Sequence, residues 1–339
     1  MSTNSIDVTY IFAGSRNAFS NENGIKKITL KCNMKLFPKI LFNIKVYRYV
    51  KGHKSEYDII HMNGDNGNLI AGIRGVKTIM TVHGSALIDG LSVKYDRSVK
   101  LIERIYKIIW AYISHSFEIY GIKKAGIIAT TSYKFVNFIK QYRNDQDINV
   151  IPLGVDTNFF KPGEKSEIRK ELLLSDHVIY GIWVGQNPER KRLDFAIDLI
   201  EKTNLNLICI GKMIQKEVSN KIKLLGDLSD KELLSYYQAS DFFLFPSVYE
   251  AFGLVILEAM ACGSVPIIGK NISIPILSDR KNCFIAKNDS DYLNILNEIE
   301  TDSSILTNMS KEAIKSVETL SVENNLLKYL ELIRYYYKS

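Results

Sequence analysis

The 339 residues predict an α/β protein built from two doubly wound domains, and three observations carry that prediction. The first is length, because a chain of this size exceeds what one hydrophobic core usually organises. The second is a regular alternation of short apolar runs with longer stretches of helical period. The third is a loss of period near the middle, at Ile151–Gly163 (IPLGVDTNFFKPG), which carries two prolines and two glycines and reads as an interdomain hinge.

Before the hinge, strands are predicted at Ile6–Phe12, Tyr57–Met62, Val76–Val82, Gly126–Thr130 and Ile148–Ile151. After it they fall at Val178–Val184, Asn204–Ile210, Lys221–Leu225, Phe242–Phe245, Ser264–Ile268 and Cys283–Ala286. Helical period occupies Lys100–Lys124, Arg192–Lys202, Asp230–Gln238 and Leu254–Cys262, and the run IKKITL after Gly24 also reads as helix. The expected domains are residues 1–155 and 156–320. The remaining 321–339 hold a helix at Val322–Tyr336 that packs back across the hinge. Two such domains are expected to face each other across a cleft, with ligands at the carboxyl ends of the strands.

No apolar run reaches the roughly 18–20 residues that span a bilayer, and no basic leader precedes the first apolar stretch. The four cysteines (Cys32, Cys209, Cys262, Cys283) are scattered, as suits reduced thiols in a cytoplasmic protein. The five histidines lack ligand spacing, so no metal is expected.

Charge is unevenly spread. Residues 1–150 hold 22 Lys and Arg against 11 Asp and Glu, a balance of +11, whereas the rest holds 22 against 26, or −4. A basic first half calls for a polyanionic partner. The stretches Lys26–Lys54 and Lys94–Lys124 interleave cations with large apolar and aromatic residues, which suits the anionic inner face of a membrane or, more plainly, a helix with one solvated basic side. No nucleic-acid recognition motif accompanies them, so no nucleic-acid partner is expected.

The chemistry concentrates in PSVYEAFGLVILEAMACG (Pro246–Gly263), where Glu250 and Glu258 bracket seven uncharged residues. A buried carboxylate is costly unless paired. The apolar strand Phe242–Phe245 precedes the stretch and a helix begins at Leu254. Residues Glu250 to Leu254 therefore form a strand-to-helix turn. Free N–H groups at the helix start and the small residues Ala251 and Gly253 suit a phosphate, while both carboxylates can accept from sugar hydroxyls. A second strand-to-helix turn, GQNPERKR (Gly185–Arg192), places Arg190, Lys191 and Arg192 in a row and reads as a phosphate clamp. His83 ends the strand TIMTVH before Gly84-Ser85, and His61 ends another strand.

With these residues in view, the chain resembles the retaining nucleotide-sugar glycosyltransferases of family 4, which have the GT-B architecture of two Rossmann-like domains. Pro246–Gly263 resembles that family's Glu-x7-Glu signature, Ile151–Pro162 its interdomain junction, and Leu224–Pro246 its lead-in to the signature. The resemblance implies transfer of a sugar from a nucleotide-diphosphate donor, a co-substrate and not a cofactor, to a glycan or lipid-linked acceptor in cell-surface polysaccharide or glycolipid synthesis, without a metal. It implies that Glu258 holds the ribose, that Glu250 grips the sugar hydroxyls, and that His83 reaches the sugar. It gives the diphosphate to Lys191, Arg190 and the helix start at Phe252, Gly253, Leu254 and Val255, beside Gly185 and Ala251. The chain departs from the pattern twice. Gln186 stands where the family has Arg, with Arg190 or Arg192 as the replacement cation, and only Gly24 remains of a paired-glycine donor loop. A non-catalytic nucleotide-sugar-binding subunit and a sugar-nucleotide epimerase are the alternative readings.

Overall fold

The computed structural model describes residues 6–32, 38–64, 66–91, 100–143, 148–212 and 216–339. Parts of both basic stretches singled out above, 33–37 and 94–99, lie outside the described residues. The chain divides into two compact units. Of the described residues, the first comprises those up to 91, those from 100 to 150, and 332–339, and the second those from 151 to 331. The change of unit at 150/151 falls at the start of the expected hinge.

Unit 1 runs β1 (Thr9–Gly14), β2 (Ala18–Glu22), β3 (Ile25–Lys31), α1 (Pro38–Gly52), β4 (Ile59–Asn63), β5 (Lys77–Val82), α2 (Ala86–Leu91), α3 (Leu101–Lys124), β6 (Ile127–Thr130), α4 (Val136–Lys140) and β7 (Ile148–Val150). Strands β4-β5-β6-β7 form a parallel sheet in that order. Strands β1, β3 and β2 form a separate sheet.

That small sheet corrects one expectation. The run IKKITL is strand β3, not helix, paired antiparallel with β2 and parallel with β1. Asn23 and Gly24 both adopt positive φ, 52° and 79°, so the two-residue turn twists in the sense that closes a hairpin. The β-branched Ile25, Ile28 and Thr29 then suit the pleat. Gly24 is exposed at the hairpin tip, and the turn alone accounts for a glycine there.

Unit 2 runs α5 (Lys165–Glu171), β8 (Tyr180–Gly185), α6 (Leu193–Ile200), β9 (Asn206–Gly211), β10 (Ile222–Leu225), α7 (Asp230–Ala239), β11 (Phe242–Phe245), α8 (Leu254–Ala261), β12 (Val265–Gly269), β13 (Phe284–Ala286), α9 (Asp289–Thr301), α10 (Ile305–Val317) and α11 (Val322–Lys338). Its six strands are all parallel, in the order β10-β9-β8-β11-β12-β13. Side chains of β11 alternate between two cores. Phe242 and Leu244 join Trp183, Leu193, Ile197 and Leu296 on one face. Phe243 and Phe245 join Tyr237, Ile256, Leu257 and Val317 on the other. A sheet buried on both faces needs continuous apolar strands, which is what FFLF supplies.

Helix α11 begins in unit 2, where Val322 N donates to Val155 O at 3.0 Å, and ends in unit 1, where Lys77 Nζ donates to Tyr336 O at 2.9 Å. The division between the units falls within this helix, between Glu331 and Leu332.

The strand order of unit 2 fixes where its loops converge. From β8 the chain winds outward through β9 and β10, then returns to the other side of β8 and winds outward through β11, β12 and β13. The switch point lies between β8 and β11, and the loops leaving their carboxyl ends diverge there to leave a crevice. Close packing between these two strands is testable. A Cβ at Gly181 would sit 2.3 Å from Phe242 Cε2, inside a fully buried pair. Gly181→Ala should cost about 1–3 kcal/mol by overpacking, seen as a lower urea midpoint at unchanged slope. An unchanged midpoint would contradict the packing described.

Candidate functional site

Two loops occupy the switch point, 186–192 after β8 and 246–253 after β11. They are tied together by backbone: Val248 N donates to Arg190 O at 2.9 Å. Arg190 Nη1 returns the tie, donating to Tyr249 O and, at 2.9 Å, to Glu250 Oε1. Ser247 Oγ donates to the same carboxylate oxygen at 3.1 Å. From the loop after β12, Asn271 Nδ2 donates to Ser247 O at 3.0 Å and Val248 O at 2.6 Å. Glu250 is thus a half-buried carboxylate with a guanidinium partner and a hydroxyl donor, which offsets its desolvation.

Lys191 and Arg169 are the two buried cations among the described residues of the unit. Only 8% of Lys191 is exposed, its Nζ lies 4.9 Å from the Phe245 ring centroid, and it donates to Val184 O at 3.4 Å. Its stem lies across Gly185, where a Cβ would come within 2.4 Å of Lys191 Cδ. The glycine is required by this close approach of Lys191, six residues further along the chain. Trp183 Nε1 fixes the backbone by donating to Lys191 O at 3.1 Å. Burial pushes the Lys191 pKa down, while Glu250 and Glu258 push it back up and Arg190 opposes them. The ammonium therefore sits in the field of both carboxylates. Of its three N–H donors, the described residues engage one.

Glu258 projects from α8, half-buried, and its Oε2 accepts from Tyr237 OH at 3.1 Å. Burial raises its pKa, partly offset by the Tyr237 hydrogen bond and by Lys191. At the start of α8, Gly253 is in the left-handed region (φ 92°) and provides no side-chain cap. The first N–H groups of the helix, beginning at Leu254 and Val255, are left to solvent or a ligand. Phe252 anchors this turn in the core beside the half-buried Ala251. Gly185, Arg190, Lys191, Glu250–Val255 and Glu258 are therefore one constellation.

The three-cation clamp needs correction. Arg192 caps α6 in a left-handed conformation (φ 53°), which turns its side chain away toward α9. There it pairs bidentately with Asp289 at 2.7 and 2.6 Å and stacks 3.8 Å over the Phe195 ring. Arg190 and Lys191 are left as the cations of the site. Gln186 Nε2 donates to Asp227 Oδ1 at 2.6 Å, on the loop after β10.

In unit 1, His83 follows β5 and its Nε2 bonds to Asn63 Oδ1 at the end of β4. An amide oxygen accepts only, so this bond fixes the tautomer with hydrogen on Nε2. Burial pushes the His83 pKa down, which keeps the imidazole neutral near pH 7. His61 Nε2 bonds to Thr81 Oγ1 at 2.7 Å beside it. Among the described residues no group of three or more His, Cys, Asp or Glu side chains is arranged to hold a metal ion.

Sequence reasoning missed Tyr237, Ser247, Asn271 and Asn63. Tyr237 is fully buried in α7 and reads as an ordinary core aromatic. The two asparagines read as loop polarity, and nothing in their spacing links them to Glu250 or His83.

Residues 2–159 match the family model described as Glycosyltransferase Family 4, and residues 164–316 the model described as Glycosyl transferases group 1. An Escherichia coli UDP-Gal:alpha-D-GlcNAc-diphosphoundecaprenol alpha-1,3-galactosyltransferase is 24% identical over 331 residues, covering 90% of this chain and 79% of that protein. A D-inositol 3-phosphate glycosyltransferase of Segniliparus rotundus is 25% identical over 69% of this chain, which spans only 56% of that relative's length. Among solved structures, the sucrose-phosphate synthase of Thermosynechococcus elongatus aligns with a TM-score of 0.75 at 18% identity, over 98% of this chain and 86% of that one. Anabaena HepE, solved with UDP and glucose, aligns with a TM-score of 0.70 at 17% identity, over 92% and 86%. These solved structures share the GT-B fold, and it is the fold of this chain.

The Tyr237–Glu258 hydrogen bond gives a direct test. It lowers the Glu258 pKa, so its removal in Tyr237→Phe should move the carboxyl titration to higher pH, followed by carbon-13 NMR of labelled glutamate. A titration that stays in place or falls would show that the phenol does not act on Glu258.

Proposed function

The chain belongs to the family 4 glycosyltransferases, and from that premise we propose that it moves a sugar from a nucleoside-diphosphate donor to a glycan or lipid-linked acceptor with retention of anomeric configuration. The observation that carries this reading is Lys191, an ammonium folded over Gly185 in the field of two acids, beside the uncapped start of α8. A diphosphate is the ligand such a group lacks. It offers oxygens to the remaining Lys191 donors and to the α8 N–H groups, and its charge suits both the ammonium and the helix dipole.

In this reading Glu258 accepts from the ribose hydroxyls and Glu250 from the sugar hydroxyls, with Arg190 holding Glu250 in place. As the glycosidic bond breaks, negative charge grows on the leaving diphosphate. Lys191, Arg190 and the α8 dipole are already oriented toward it and stabilise it without reorganisation. The proposal needs no divalent metal, since these cations neutralise the leaving group. It assigns no protein nucleophile, and the acceptor attacks the face the diphosphate leaves. His83, neutral and held by Asn63, is assigned to the sugar on the family resemblance.

The name of the Escherichia coli relative specifies a UDP-sugar and a diphosphoundecaprenol-linked acceptor, and Anabaena HepE was solved with UDP and glucose. Both support a nucleotide-sugar donor, and the first supports a lipid-linked acceptor in cell-surface glycan assembly. Three buried thiols without disulfides support a cytoplasmic setting. A second reading, a donor-binding subunit without turnover, draws on Gln186, which replaces a cation and is engaged by Asp227.

A panel of nucleotide sugars screened by thermal shift should yield one donor that raises the melting temperature in proportion to its affinity. With that donor, Glu250→Ala should lower turnover by about 100-fold or more. Donor binding without turnover in the unaltered protein would support the second reading, and no stabilising donor would remove both. A pH series adds a sign. Glu258 must be ionised to accept, so donor affinity should fall as pH drops through its raised pKa, and in Tyr237→Phe the fall should begin at higher pH. Affinity independent of pH across that range would detach Glu258 from the donor.

A further inference from the structure

The two residues that lead into α6 face opposite ways, Lys191 over Gly185 and Arg192 toward α9. Arg192 stands at φ 53° and ψ 50°, the left-handed region that a residue with a Cβ adopts only at a cost. The φ torsion of residue 192 turns the peptide that carries the Lys191 carbonyl. Relaxing it to the helical value of about −63° would swing that peptide by roughly 115° relative to α6. The Lys191 carbonyl would then leave Trp183 Nε1, which donates to it at 3.1 Å. Arg192 is held against this relaxation by its own side chain. The guanidinium meets both oxygens of Asp289, at 2.7 and 2.6 Å, and stacks 3.8 Å over the Phe195 ring. Both partners are themselves fixed. Asp289 is the first residue of α9, whose start is capped by Asn288 Oδ1 accepting from Asp291 N at 3.1 Å. Phe195 packs edge-on against the buried Tyr292 of α9, with ring centroids 5.7 Å apart.

We infer that Arg192 is a positioning residue for Lys191, with Asp289 and Phe195 holding its left-handed backbone in place. The role rests on the proposed contact between Lys191 and a diphosphate, and adds the structure that aims it. An ordinary surface ion pair contributes little, but this one is bidentate and stacked on a ring. The hydrogen bond from Arg192 also keeps the Asp289 carboxyl below its usual range, so the pair stays charged at neutral pH. A glycine at 192 would adopt this conformation freely, along with many others. The clamped arginine is confined to it. Backbone bonds carry that constraint through the turn. Lys191 N donates to Asn187 O at 2.9 Å, Leu193 N to Pro188 O at 2.8 Å, and Ala196 N to Arg192 O at 3.0 Å. The start of α9 thus bears on Lys191 through the main chain.

The test reads the turn in the full chain, first without a ligand and then with UDP. Trp110 and Trp183 are the chain's two tryptophans, so the Trp183 indole proton is one of two such NMR resonances. Its bond to Lys191 O holds it downfield. In Asp289→Ala, which removes a mostly exposed side chain, that proton should move upfield and UDP affinity should fall at least about tenfold. Adding Arg192→Gly to the same variant should return the resonance and bring affinity to within about threefold of the unaltered protein, because glycine needs no clamp. Arg192→Ala loses the clamp and keeps a Cβ, so it should behave as Asp289→Ala does. An ion pair that only fastens α9 to α6 would lower the melting temperature in every variant and show no such rescue. An unmoved indole proton in Asp289→Ala would overturn the inference, as would a double variant no better than the single one. So would UDP affinity that stays constant while the resonance moves. If the unaltered protein binds no UDP, the transfer reading fails, while the indole shifts still decide whether Arg192 sets the Lys191 turn.

Discussion

One confined cation organises the loops at the switch point of the second unit. Lys191 is turned back over its own strand into a space bounded by Gly185, Phe245 and the fields of Glu250 and Glu258. Holding an ammonium away from water is costly unless charge and hydrogen bonds replace the lost hydration. The surrounding structure supplies the charge, because both acids favour the protonated form. It leaves hydrogen-bonding capacity over, because the described residues take up only one of the three donors. In the proposed function, a diphosphate supplies the acceptors that this electrostatically complete site lacks. Most local features follow from this. Gly185 clears space for the stem, Trp183 pins the turn from below, and Arg190 and Asn271 lash the acidic loop to the cationic one.

The position of that site follows from topology before any side chain is considered. The strand order of unit 2 reverses between β8 and β11, and the two loops at the reversal are the ones that carry Lys191 and Glu250. A doubly wound sheet buries its strands on both faces, which is why β11 consists of four consecutive apolar residues. The same burial brings the half-buried Glu258 and its partner Tyr237 close to the core. Unit 1 repeats the logic on a smaller scale. His83 and Asn63 end adjacent parallel strands, so neighbouring carboxyl termini bring an imidazole and an amide into contact across twenty residues of sequence.

Much of this was legible in the sequence, and what was not has identifiable causes. All eleven expected strands are present within a few residues, because short apolar runs between helical periods carry a strong signal. The strand-to-helix turns and the two carboxylates could be placed from the sequence pattern, whereas the link between Gly185 and Lys191 came from the family resemblance. The hairpin of β2 and β3 was obscured by its lysines, which suggested a helix, although Asn23-Gly24 is a hairpin turn signal. The role of Arg192 depends on a left-handed backbone at a non-glycine residue, which composition does not disclose. Tyr237, Asn271 and Asn63 act through contacts between residues far apart in the chain, and no local pattern marks them.

The account is tested most directly at Lys191 itself, by replacing it with methionine and measuring two quantities on the same protein. Methionine keeps the stem over Gly185 and removes the charge. If the ammonium is held for a ligand, Lys191→Met should be at least as stable to urea as the unaltered chain, because a confined charge has been exchanged for an apolar side chain of similar length. Its affinity for UDP should drop at least about tenfold. A protein that loses several kcal/mol of stability yet binds UDP undiminished would show that Lys191 serves the fold, and the account would be contradicted.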